Sequence, residues 1–221
     1  MRAFPFPFAV AVALGSLLAC GGGVKETPWN PNLAGSLDAP LPPPAPDGGD
    51  SYPATCNVAA VQNDDGGYAQ ADATCYLSAD LGLVWKALQD PAVTEDPHTT
   101  AFTVTSVADS NPQHPIHQLI HYELTDIISF VYDLEWVHVL DEGTLADPTH
   151  VVVTFQKVDG TSYISLWDAS FELTSPTAGV TQLAMSMHEN ALSTSPAELQ
   201  TGLMRYYTNL GQKLGVAANP P

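Results

Sequence analysis

The segment HPIHQLIH brings His114, His117 and His121 within eight positions of the chain. Imidazoles that close could hold a metal ion if the segment were helical, because residues i and i+4 are neighbours on a helix. On a strand, His117 and His121 share a face but stand about 13 Å apart, at about 3.4 Å per residue. That is too far to share a zinc ion, whose nitrogen bonds are about 2.0–2.1 Å. Ile116, Leu119, Ile120 and Leu124 fit a helix nearly as well as a strand, so both readings of 116–124 stay open. No metal is expected. The acidic runs NDDGG and DGGD lack the spacing of a calcium loop.

Proton transfer is the second chemistry on offer. His138, Tyr132 and Tyr163 could each serve as an acid or base. In ISFVYDLEWVHVL, Phe130, Tyr132, Leu134, Trp136 and His138 alternate with Ser129, Val131, Asp133, Glu135 and Val137. This period of two makes one face large and mainly apolar, and it puts Asp133 and Glu135 on the other face. No inward pair of carboxylates is evident, and the chain has no Gly-x-Ser-x-Gly, His-Glu-x-x-His or phosphate-loop motif. No catalytic residue is assigned and no cofactor is expected.

Binding is the third. Phe130, Tyr132, Leu134, Trp136 and His138 share an inward face with Tyr163, Trp167 and Phe171 of YISLWDASFELT and with Leu203, Tyr206 and Tyr207 near the C-terminus. Aromatic walls with a few polar tips suit an apolar or amphipathic ligand. The same residues could equally fill a solid core, and alternation alone does not choose between the two.

These side chains need elements to position them. Ser78 is read as the cap of a short helix in which Leu81, Val84, Trp85 and Leu88 form one stripe, ended by Pro91. Strands are predicted at 102–107, 128–140, 150–158, 163–174 and 181–189. A final helix starts at Ser195, with Pro196 at its first position and Glu198 three residues after the cap. Leu199, Leu203, Tyr206, Leu210 and Leu214 form its apolar stripe, which must be buried against the sheet.

This order, with ADATCYLSADLGLVWKALQDP near its start and ELQTGLMRYYTNLGQKL at its end, resembles the START-like superfamily, also called SRPBCC, over roughly residues 68–215. Its members include lipid-transfer domains, birch-pollen-allergen-like proteins and polyketide cyclases. The resemblance implies an α+β helix-grip fold: a curved antiparallel sheet around a long C-terminal helix, with a short helix after the first core strand and a cavity between helix and sheet. The strand around Cys56 would be an addition to that plan.

The N-terminus concerns location. Residues 1–19 carry one charge, Arg2, followed by an apolar run, the pattern of a secretory signal. Leu17-Leu18-Ala19-Cys20 resembles the lipobox of bacterial lipoproteins. That resemblance implies cleavage before Cys20 and its acylation; the alternative is an ordinary signal with a coincidental cysteine. Two or more acyl chains anchor stably. Gly21 stands where Asp retains such proteins in the inner membrane, so the resemblance implies an outer-membrane address with the domain in the periplasm. Residues 20–54 read as a Pro- and Gly-rich tether, and 55–217 as one domain.

Outside the cytoplasm a Cys56–Cys75 disulfide is the default. The Asp65-Gly66 hairpin signal between them sets the two cysteines opposite each other. A strict two-residue turn puts them at a hydrogen-bonded pair, where side chains lie farther apart, unless a bulge shifts the register. The alternative is two free buried thiols. With 24 acids against 6 bases and a formal charge of −18, the chain lacks the clustered cations that nucleic-acid binding requires. The sequence therefore leads to a monomeric, membrane-anchored protein that binds a hydrophobic small molecule or lipid. A cyclase- or aromatase-like enzyme and a solid-cored interaction lipoprotein remain as alternatives.

Overall fold

A computed structural model describes residues 41–46, 52–63, 67–125, 129–192 and 194–219. Cys20, the signal segment, most of the tether and the Asp65-Gly66 turn lie outside the described residues.

Eight strands form one antiparallel sheet: β1 (Cys56–Asn63), β2 (Tyr68–Leu77), β3 (Thr99–Ser106), β4 (Ile116–Thr125), β5 (Ser129–Gly143), β6 (Pro148–Gly160), β7 (Ile164–Thr177) and β8 (Val180–Ala191). Their order across the sheet is β1-β2-β8-β7-β6-β5-β4-β3. Every neighbour in sequence is a neighbour in space except β2 and β3. Between those two, α1 (Leu81–Leu88) and a 3₁₀ turn (Pro91–Val93) carry the chain from one side of the sheet to the other. The meander then returns until β8 pairs with β2.

The segment at 116–124 is a strand. Its backbone is laddered to β3 on one side and β5 on the other. Ile120, Tyr122 and Leu124 are buried at alternate positions, so Tyr122 sets the period that the aliphatic residues alone left ambiguous. The start of α1 differs from expectation. Asp80, not Ser78, is the N-cap, and its side chain makes no capping bond. Instead Asp80 Oδ1 accepts from the Gly179 N–H at 3.0 Å, which ties the helix to the β7–β8 turn. The buried stripe is Leu81, Val84, Trp85, Ala87 and Leu88.

The closing helix α2 (Pro196–Leu214) has a complete capping box: Ser195 Oγ accepts from the Glu198 N–H, and Glu198 accepts from the Ser195 N–H. It ends at Gly215 in the left-handed region (φ 70°). The helix lies chiefly on β1, β2, β8 and α1. Tyr207 donates to the carbonyl of Tyr76 at 3.0 Å, and Asn209 donates to that of Val93 at 2.9 Å. Both bonds hold α2 at one end of the concave face, and the hydrophobic core fills the space between helix and sheet.

Cys56 and Cys75 are disulfide-bonded. They are directly opposite in an unbroken register from Cys56↔Cys75 to Asn63↔Tyr68, with no bulge. Their Cα separation of 4.3 Å is that of a non-hydrogen-bonded pair. The parity differs from that of a two-residue turn because the hairpin closes through the Gly67 N–H donating to the Asn63 carbonyl, with Gly67 at φ 66°. That i→i+4 closure moves the first hydrogen-bonded pair by one position, and every later pair with it. Parts of the stretch read as a tether touch the domain: Asn57 Nδ2 donates to the Pro42 carbonyl at 2.7 Å, and Tyr52 packs edge-on against Tyr76.

Candidate functional site: an acid-rimmed aromatic cavity

The inner faces of β4, β5, β7 and β8 converge with the first half of α2 on a cavity of about 720 Å³ that opens to solvent. Its wall is apolar: Leu124 from β4, Phe130 and Tyr132 from β5, Trp167 from β7, Met187 from β8, and Leu199 and Tyr206 from α2. Tyr132 and Trp167 meet edge-to-face with centroids 5.0 Å apart, and Tyr122 packs behind Tyr132 at 5.3 Å. Burial pushes the Tyr132 and Tyr206 phenols well above the ordinary tyrosine range, so both are neutral hydroxyls at neutral pH. Tyr163 and Leu192 form an exposed apolar lip, joined by a backbone bond of 3.2 Å from Leu192 N–H to Tyr163 carbonyl.

The close approach of β6 to β5 at Tyr132 depends on a glycine. Gly160 has φ 113°, and a Cβ there would stand 2.4 Å from both Tyr132 Cα and the Val131 carbonyl oxygen. The β5–β6 register shifts further along, between Asp133 and Leu134, and beside Gly160 the Thr161 N–H donates to the Val131 carbonyl at 2.9 Å.

Of the residues that sequence parity turned inward, the structure brings Phe130, Tyr132, Tyr163, Trp167 and Tyr206 together on the cavity. Leu134, Trp136, His138, Phe171, Leu203 and Tyr207 lie instead in a packed layer beside it. There Trp136 contacts Phe155 at 4.6 Å and stacks with Phe171 at 6.1 Å, and Phe171 meets Tyr206 at 6.1 Å. His138 is 1% exposed, and its Nδ1 accepts from the Trp85 indole N–H at 3.0 Å. Burial lowers its pKa to about 4. It is a neutral acceptor in the interior, and it does not line the cavity.

The clustered histidines are on the opposite, convex face, each bonded to a carboxylate. Asp109 Oδ2 lies 2.8 Å from His114 Nδ1 and 2.9 Å from His117 Nδ1, while His117 Nε2 meets Glu135 Oε1 at 2.6 Å. His121 faces Asp133, its direct cross-strand partner, at 2.5 Å. The Asn111 N–H and both imidazoles hold the Asp109 carboxyl down at about 2.

Sequence reading missed the polar rim. Asp96, Glu189, Glu198 and Arg205 stand at the mouth of the cavity. Arg205 Nη2 is 3.6 Å from Asp96 Oδ2, and its guanidinium lies over the Tyr206 ring at 5.7 Å. Glu189 faces inward, directly across from Trp167. Burial, with Asp96 and Glu198 nearby, raises its carboxyl to about 7. A signal for it was present: the alternation of Leu183, Met185 and Met187, continued one step, turns Glu189 inward. Asp96 and Arg205 had no such signal, because they reach the rim from a loop and a helix distant in sequence.

No family model matches the chain, and no curated protein does. Solved structures do. The human StarD13 (DLC2) lipid transfer and protein localization domain superimposes over 72% of this chain and 84% of its own, with a TM-score of 0.55 at 11% identity. The fold is the START-like helix-grip. Other solved helix-grip structures similar to it include a STAR-related lipid transfer protein fragment from Xanthomonas axonopodis (TM-score 0.49, 14% identity, 74% of this chain and 91% of that one). The Zhui aromatase/cyclase from Streptomyces sp. R1128 is another (TM-score 0.39, 14% identity, 66% and 88%). In this chain the helix-grip carries one strand, β1, stapled by the disulfide outside β2 at the edge of the sheet.

Proposed function

We propose that this chain is a lipid-anchored protein of the cell envelope whose helix-grip domain takes a hydrophobic small molecule or lipid into the aromatic cavity. The observation that carries the reading is the cavity itself. About 720 Å³ walled by Tyr132, Trp167, Phe130 and Tyr206 is within the size and chemistry of small-molecule sites. The lipid-transfer name of the StarD13 domain agrees with it. The lipobox at Leu17–Cys20 supports the anchor, and the Pro- and Gly-rich stretch behind it would space the domain from the bilayer. Of the three acid–base candidates of the enzymatic alternative, His138 is enclosed away from the cavity, while Tyr132 and Tyr163 line it.

Two measurements test this. Native mass spectrometry of the purified protein should reveal retained apolar ligand, and Trp167→Ala should lower that retention while leaving the fold intact. Wild type that never carries or takes up an apolar molecule would sink the binding claim. Labelling of cells with radioactive palmitate should mark the wild type and not Cys20→Ala. Equal labelling of both would sink the anchor.

A further inference from the structure

The carboxylates at the cavity rim are not equivalent. Asp96 is served by Arg205 at 3.6 Å and by the His98 N–H at 2.8 Å. Glu198 is occupied by the capping box, accepting from Ser195 N–H at 2.8 Å and from Ser195 Oγ at 2.9 Å. Glu189 has the Thr194 side chain as a hydrogen-bond partner, and the charges acting on it are those of Asp96 and Glu198, both acids, while Arg205 at the same mouth is paired with Asp96. Among the described residues no basic side chain forms an ion pair with it. A half-buried carboxylate without a cation is costly to keep ionised. Its place is specific: directly across the β7–β8 ladder from Trp167, whose ring meets Tyr132 at 5.0 Å.

We infer that the cavity takes an amphipathic ligand whose polar end is a protonated amine, read by the Glu189 carboxylate. This rests on the cavity-binding reading above. An ammonium group would supply the missing counter-charge through a charge-assisted hydrogen bond, about twice as strong as a neutral one. The faces of Trp167 and Tyr132 beside it would add cation–π attraction. A ligand with a hydroxyl head would gain the hydrogen bond without the opposite charge. A fatty-acid head would set a second negative charge against Glu189, with Asp96 and Glu198 close by. The rest of the ligand lies along Phe130, Tyr132 and Met187.

The test uses the full chain carrying Cys20→Ser, so that no acyl group is attached, and three probes of one length: decylamine, decan-1-ol and decanoate. Each is titrated calorimetrically at pH 8, below the micelle concentration of the two ionic probes and the solubility limit of decanol. Decylamine should bind about tenfold or more tighter than decanol, and decanoate weakest. Glu189→Gln should bring decylamine close to decanol, with a near-UV circular dichroism spectrum matching wild type to report that the variant is still folded. Glu189→Asp should keep most of the preference. Equal affinities for the three probes, or decanoate binding tightest, would overturn the inference. So would an amine preference that survives in Glu189→Gln, since that would be attraction to the acidic surface as a whole. If no probe binds the wild type, the cavity reading fails along with it.

Discussion

The indole N–H of Trp85 donates to Nδ1 of His138 across 3.0 Å of buried interior, joining α1 to β5. Trp85 is 4% exposed and His138 1%. The pair makes His138 a structural acceptor, and it explains why a strand of otherwise apolar inward residues carries an imidazole at that position.

Removing the acceptor should therefore be expensive. His138→Leu leaves a buried indole N–H unsatisfied and should cost about 1–3 kcal/mol in urea unfolding at pH 8. His138→Asn, which keeps an acceptor near the Nδ1 position, should cost less.

The same residue should shape acid stability. Its folded pKa of about 4 lies below the ordinary 6.5. As pH falls from 6.5 towards 4 the unfolded chain takes up a proton that the folded one refuses, so stability is lost in that window. Relative to its value at pH 8, wild type should lose on the order of 2 kcal/mol more than His138→Asn by pH 4. Parallel stability–pH curves for the two would refute the assignment.

Glu189 should act in the opposite sense. Its folded pKa is raised from 4.5 to about 7, so the folded state holds its proton longer than the unfolded state. Stability from this group is highest below pH 4.5 and falls as pH rises through 7. Glu189→Gln should be more stable than wild type at pH 8, by on the order of 1–3 kcal/mol, and should match it near pH 4. Thermal melts at the two pH values read this directly.

Gly160→Ala would drive a Cβ into the Tyr132 backbone at 2.4 Å with φ at 113°. We expect a loss of at least about 2 kcal/mol. Because Tyr132 is a cavity wall, apolar-ligand affinity should fall in the same variant. A neutral result in both assays would mean that β5 and β6 can separate there without consequence.

Opening the Cys56–Cys75 bond, by reduction or by Cys56→Ser with Cys75→Ser, should cost about 2–4 kcal/mol, because it frees a 19-residue separation in the unfolded chain. The bond lies at the β1 edge and its cysteines do not line the cavity, so ligand affinity in the folded protein should be unchanged.

Much of this was legible in local pattern. The alternation of β5 turned Tyr132, Trp136 and His138 inward and Asp133 outward, as found. The capping box at Ser195 was explicit in four residues. Local pattern failed where two periods fit one segment, as at 116–124, and where a helix start was tied to a distant turn, as at Asp80. It failed again at the hairpin, where closing the turn one pair further back changed the pairing type of Cys56 and Cys75 without changing their register.

What the sequence by itself determined is which face of each element turns inward, because burial of an apolar stripe follows from spacing alone. What only the tertiary structure decided is which of those inward residues pack and which face empty space. Phe130 and Tyr132 line a cavity while Trp136 and His138, further along the same strand, are buried beside it, because α1 and α2 cover one part of the concave sheet and leave another open. The placing of Asp96, Glu189 and Arg205 around one opening was decided in the same way. It depends on where a loop, a strand end and a helix meet, and no local spacing encodes that meeting.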